Sequence, residues 1–94
     1  MSSIDWTEIA RDFGPSIGTQ LRGVLKISNL GFYALFVPNV ERSRVERDLA
    51  NAFLPIHGHA VWTREEGKQL FVAVVKADSA EPLRAIAQSE DAIG

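Results

Sequence analysis

The chain has no cysteine. That excludes a disulfide framework, a thiolate zinc site and a thiol nucleophile. It also lacks a strong charge of either sign: ten Lys and Arg stand against twelve Asp and Glu, a net charge of −2 with a pI of about 5.6. Nucleic-acid binding usually draws on a basic surface, so it is not expected here. No apolar run approaches the ~20 residues that span a bilayer. Met1-Ser2-Ser3-Ile4-Asp5-Trp6 has neither the basic nor the apolar region of a signal peptide. The expectation is a soluble cytoplasmic protein. There is no G-x-S-x-G elbow, no G-x-G-x-x-G turn and no phosphate loop. No repeat or low-complexity segment interrupts the chain. Neither an enzyme nor a cofactor is expected.

Two short apolar runs carry most of the fold information, Phe32-Tyr33-Ala34-Leu35-Phe36-Val37 and Leu70-Phe71-Val72-Ala73-Val74-Val75. Each is rich in aromatic and β-branched residues and apolar on both alternating faces. Such strands are central and covered above and below. Tyr33 belongs to this core rather than to a site. Residues 1–94 make one domain, with a tail from 89 to 94 that is expected to fray.

The remaining elements follow from spacing and punctuation. Ser3 can cap a helix carrying Trp6, Ile9, Ala10 and Phe13 on one face, with Gly14-Pro15 as its stop. Residues 16–29 read two ways. Ile17, Leu21, Val24 and Leu25 would form a helical stripe, but Gly18 and Gly23 each cost a helix about 1 kcal/mol. Alternation from Gln20 predicts instead a strand at about 20–28, in a hairpin with 32–37 through Ser28-Asn29-Leu30-Gly31. Asn39 is placed to cap a helix from Val40 to about Leu54, burying Val45, Leu49, Ala52 and Phe53. A strand from Ala60 to Arg64, a turn at Glu65-Glu66-Gly67-Lys68 and the second apolar strand come next. Asp78-Ser79 is expected to cap a last helix carrying Leu83, Ile86 and Ala87, with Pro82 in its first turn. The order α-β-β-α-β-β-α with a right-handed crossover predicts a four-stranded antiparallel sheet, order 1-2-4-3, packed with helices.

The candidate chemistry is sparse. His57 and His59 are the only side chains that normally titrate near neutrality. As alternate residues on an extended chain their imidazoles point the same way and could share a metal, though zinc needs a third protein ligand; the plainer reading is a polar helix-to-strand connection after Pro55. Glu65 and Glu66 form a carboxylate pair at a turn, where solvation is expected. On the middle helix, Arg42 with Glu46 and Arg44 with Asp48 stand at i,i+4 and pair as a solvated face. Ala10 and Gly14 have helix-turn-helix spacing, which would make Ser16 to Lys26 a recognition helix presenting Thr19, Gln20 and Arg22.

At the level of fold order and acidic pI, the chain resembles small dimeric secretion-chaperone domains. Its lack of catalytic groups is similar to that of small inhibitors from mobile elements. Both resemblances fit a non-enzymatic protein–protein interaction module, and self-association is expected because two strands apolar on both faces are more surface than three short helices cover. Its expected partner surface is Glu41, Arg44, Arg47 and Asp48 on the middle helix, with Glu65, Glu66 and Lys68 at the neighbouring turn. A DNA-binding regulator built on residues 6–26 is the second reading, and a metal-dependent enzyme on His57 and His59 the third.

Overall fold

A computed structural model describes residues 9, 11, 15, 20–64 and 67–89. Among these residues it is an α+β fold of four antiparallel strands in the order β1-β2-β4-β3, with two helices, α1 and α2, packed over one face. Strand β1 is Gly23–Lys26, β2 Phe32–Pro38, β3 Ile56–Thr63 and β4 Gln69–Lys76. A 3-10 turn, Asn39–Glu41, leads into helix α1, Arg42–Asn51, and helix α2 is Glu81–Gln88.

The two apolar runs are β2 and β4. They lie side by side at the sheet centre, with Tyr33 opposite Val75 and Leu35 opposite Ala73. Tyr33, Leu35, Val37, Phe71, Ala73 and Val75 face the helices and pack with Val45 and Leu49 of α1 and Leu83 and Ala87 of α2. Ala34, Phe36, Leu70 and Val72 point to the other face and pack with Leu25, Ile27 and Trp62. Both faces of the central pair are thus buried, as their two-sided apolar pattern requires.

The hairpin reading of residues 20–28 holds, with a shorter strand. Gly23 opposes Phe36, and Lys26 opposes Tyr33. The turn uses Gly31 at φ 91°, a conformation that favours glycine. Gly31 also accepts a hydrogen bond from the Ala77 N–H at 2.9 Å. At Gly23 the absence of a side chain matters for a different reason. A Cβ there would lie 2.8 Å from Cζ of Phe36, whose ring covers the glycine. That ring is buried, so shifting it disturbs the packing around it. Gly23→Ala is therefore expected to lower stability by about 1–3 kcal/mol through overpacking. Urea unfolding should show an earlier midpoint at unchanged m-value. An unchanged or later midpoint would mean that the ring does not seat on Gly23.

Several local expectations are corrected. Asn39 does not cap a helix. It opens the 3-10 turn, and Glu41 precedes α1 with no side-chain cap. Nor do Asp78 and Ser79 cap α2, which starts after Ala80 with Pro82 in its first turn. Ala52 and Phe53 are exposed rather than part of the buried stripe. Strand β3 begins at Ile56, four residues before the expected start. The expected recognition helix to Lys26 is excluded because Gly23–Lys26 is a strand. Ile9 and Arg11 are helical, and Pro15 is helical as well, past the expected stop at Gly14-Pro15. Proline's fixed φ is compatible with a helical turn. The rest of the N-terminal helix expectation and the tail from 90 to 94 lie outside the described residues. Among the described residues no helix is long and apolar enough to cross a membrane.

Candidate functional site

Helix α1 has three flanks, and the expected site residues divide among them. One flank faces α2. Here Arg44, expected at the surface, is only 4 % exposed. Its Nη1 donates to Asp48 Oδ2 at 2.9 Å and to the Ile86 carbonyl at 2.9 Å, and its Nη2 donates to Glu41 Oε1 at 2.8 Å. Arg22, which precedes β1, donates from Nη1 and Nη2 to the two oxygens of Glu41 at 2.8 and 2.6 Å. Arg22 Nη1 also reaches the Ala87 carbonyl at 3.2 Å. Two arginines therefore share one carboxylate and also bond carbonyls in the last turn of α2, where cations are favoured. Three elements are clamped at one point.

The electrostatics follow from this geometry. The Arg22 hydrogen bonds hold the Glu41 carboxyl below its usual range; burial opposes them, and Arg44 adds to the lowering. Burial disfavours the charged form of Arg44, but its bonds to Glu41 and Asp48, with both charges, outweigh burial and raise its pKa. Glu41, Arg44 and Asp48 thus come together as a strut between α1 and α2, with Arg44 buried and Glu41 and Asp48 partly exposed. The i,i+4 pairing of Arg44 with Asp48 was legible in the spacing. The role of Arg22 was not, because its partner lies nineteen residues away.

The opposite flank faces β3 and β4. The Arg42 guanidinium lies 4.9 Å from the centre of the Phe71 ring, and the His59 ring lies 5.8 Å from it. Arg42 Nη2 and His59 Nε2 are 3.2 Å apart, and Arg42 Nε pairs with Glu46 Oε2 at 3.5 Å. His57 is elsewhere. A bulge between Ile56 and Gly58 sets Ile56 opposite Val75 and Gly58 opposite Val74. The extra residue breaks the alternation. His57 packs edge-on against Phe32 at 5.4 Å, on the face away from the helices, whereas His59 packs on Phe71 beneath them. The premise that the two imidazoles share a face is overturned. Among the described residues no group of three His, Asp or Glu could hold a metal.

The third flank is outward. It carries Ser43, Glu46, Arg47, Ala50 and Asn51, all exposed. Arg47 Nε stands 3.6 Å from Asp48 Oδ1. Two large apolar residues close the ends of this flank: Val40 is 92 % exposed and Phe53 90 %. Phe53 sits at φ 58°, the left-handed position that helices usually end on with glycine. Leu54 N–H bonds the Leu49 carbonyl at 2.9 Å, and Phe53 N–H bonds the Ala50 carbonyl at 3.1 Å, the two bonds of a Schellman stop. Leu54 then packs on the core that holds Leu49. Pro55, read from the sequence as the terminator of a helix running to about Leu54, marks the stop only coarsely. The residue before a proline avoids helical geometry, which bounds the helix at Leu54, but the stop itself comes earlier, with α1 ending at Asn51.

Lys68 is exposed at the β3–β4 turn, which the Arg64 N–H closes onto the Lys68 carbonyl at 2.5 Å. Asn39 Nδ2 reaches Gln69 Oε1 at 3.4 Å, so this turn adjoins the start of α1. Glu65 and Glu66 lie outside the described residues. No protein-family model, curated protein or solved structure matches the chain.

Proposed function

We propose that the chain is a non-enzymatic protein–protein interaction module, of adaptor, chaperone-like or inhibitor type. In this reading it self-associates and takes its partner on the outward flank of α1. The observation that carries it is the pair Val40 and Phe53, apolar and about nine-tenths exposed at the two ends of one helix. At 1.5 Å per residue their separation along the axis is about 20 Å, a span that suits a groove on a partner. Aromatic anchors with charged neighbours are the usual makings of an interface hot spot. Glu46 and Arg47 between them would steer the encounter more than strengthen it.

Phe53 supports the reading in a second way. A non-glycine residue in the left-handed region costs roughly 1–2 kcal/mol. Glycine would end the helix at lower cost, yet the chain places there the most exposed aromatic among the described residues. Phe53→Gly should raise stability by about 1 kcal/mol, or Tm by about 4–8 °C for a domain of this size. The same substitution should weaken partner capture. The test is affinity capture from the native host with mass spectrometry, comparing wild type, Phe53→Gly and Val40→Ser. A partner that is retained in full by both variants means that α1 is not the docking surface. A fall in Tm for Phe53→Gly would contradict the strain argument.

A further inference from the structure

The sheet has two edges, β1 and β3. An edge strand presents unpaired N–H and C=O groups, which proteins protect by shortness, charge, proline or cover. Strand β1 has such protection. It is four residues long, ends on Lys26, and has α2 packed against it. Strand β3 has little. It runs for eight residues, Ile-His-Gly-His-Ala-Val-Trp-Thr, with no Asp, Glu, Lys, Arg or proline. The bulge disturbs only its first end, at Ile56 to Gly58. On its helix-side face His59, Val61 and Thr63 are exposed, Val61 to 38 %, so the helical layer, which reaches this strand through Arg42 at His59, covers it only in part. Among the described residues no strand pairs with its outer side.

We propose that this outer edge, Gly58 to Thr63, pairs antiparallel with the same strand of a second copy about a two-fold axis. The inference rests on the self-association part of the reading above and names its surface. The choice of a second copy follows from symmetry and charge. A two-fold axis sets a strand against itself, so any charge near the axis meets its like, which is destabilising. The run in β3 has no Asp, Glu, Lys or Arg of its own, the nearest cation being Arg42 at His59, away from Val61 and Thr63, whereas the β1 edge ends on Lys26. Val61 and Thr63 are β-branched residues on one face and suit cross-strand pairing. The paired sheet would run through eight strands. Strand pairing alone buries little area, so the dimer dissociates on dilution, with a Kd on the order of micromolar.

Sedimentation equilibrium of the full chain, from low to high micromolar concentration, reads this directly. The expected result is a concentration-dependent shift from the 10.4 kDa monomer to the dimer. Val61→Lys places like charges beside the axis and should leave a monomer at every concentration, with Tm close to wild type because the side chain is exposed. Lys26→Glu on the other edge should leave the dimer intact. Amide exchange on the wild-type chain needs no variant. Amides of β3 not bonded to β4 should gain protection with concentration. A wild-type monomer throughout overturns both this edge and self-association. A dimer that survives Val61→Lys, or shows no protection in β3, overturns the edge alone. Protection of β3 that appears only when a captured host protein is added to a monomeric chain assigns the edge to a foreign strand and equally overturns the proposal.

Discussion

Val74→Asp should leave no cooperative melting transition above room temperature, or should lower Tm by at least about 15 °C. Val74 is 2 % exposed on β4, opposite Ala34 of β2 and Gly58 of β3, on the face away from α1 and α2. Losing a buried valine forfeits about 1.5–3 kcal/mol of burial. A carboxyl group placed there without partners costs a further ~2–7 kcal/mol even when it stays protonated. A chain of this length has roughly 5–14 kcal/mol in total. Each kilocalorie lost moves the Tm of such a domain by about 4–8 °C. Phe36→Ala is the milder companion. The ring is 1 % exposed and covers Gly23, so truncation leaves a cavity worth about 3–5 kcal/mol. Far-UV circular dichroism through a thermal ramp measures both variants. A melting point within a degree or two of wild type for either would mean that the second face is not a packed layer.

The same two strands show why the sheet was legible in the sequence. An apolar residue at every position of Leu70 to Val75, in a short run rich in valine, reads as a strand covered on both faces. Two such strands must sit together inside the sheet, which sets the order once the crossover is right-handed. The site was less legible because its decisive contacts are long-range or arise from one-residue irregularities. Arg44 pairs with Asp48 as the helical spacing implies, but the spacing does not show which flank that pair occupies. The Ile86 and Ala87 carbonyls that receive Arg44 and Arg22 carry no side-chain signature at all. His57 and His59 alternate in sequence, and one inserted residue at the bulge sends them to opposite faces. Phe53 lies four residues after Leu49 and looks like a core position. The helix stops first, so the ring turns outward.

Removing the carboxylate that joins the three clamped elements should cost almost as much as a core mutation, and the cost should depend on pH. Glu41→Ala leaves Arg44 buried with Asp48 as its remaining carboxylate and takes both side-chain oxygens from Arg22. Breaking a buried ion pair by deleting one partner costs about 3–5 kcal/mol, because the other charge stays desolvated. The retained Asp48 bond places this case near the lower end, about 3 kcal/mol, or a Tm drop of roughly 12 °C or more. Glu46→Ala is the control. Its pair with Arg42 is well exposed and should contribute well under about 1 kcal/mol. The pH dependence has a definite sign. Arg22, bonded to both oxygens, lowers the Glu41 pKa in the folded state, so the unfolded chain takes up the proton first as pH falls. The stabilisation from ionised Glu41 is complete above the unfolded value, about 4.3, and is lost as pH falls through the lower folded value. Glu41→Gln keeps the shape and removes the charge. Its deficit against wild type, read from urea midpoints, should be full at pH 7 and shrink progressively below about pH 4.3. A deficit that stays constant down to strongly acidic pH would show that shape rather than charge makes Glu41 the joint between β1, α1 and α2.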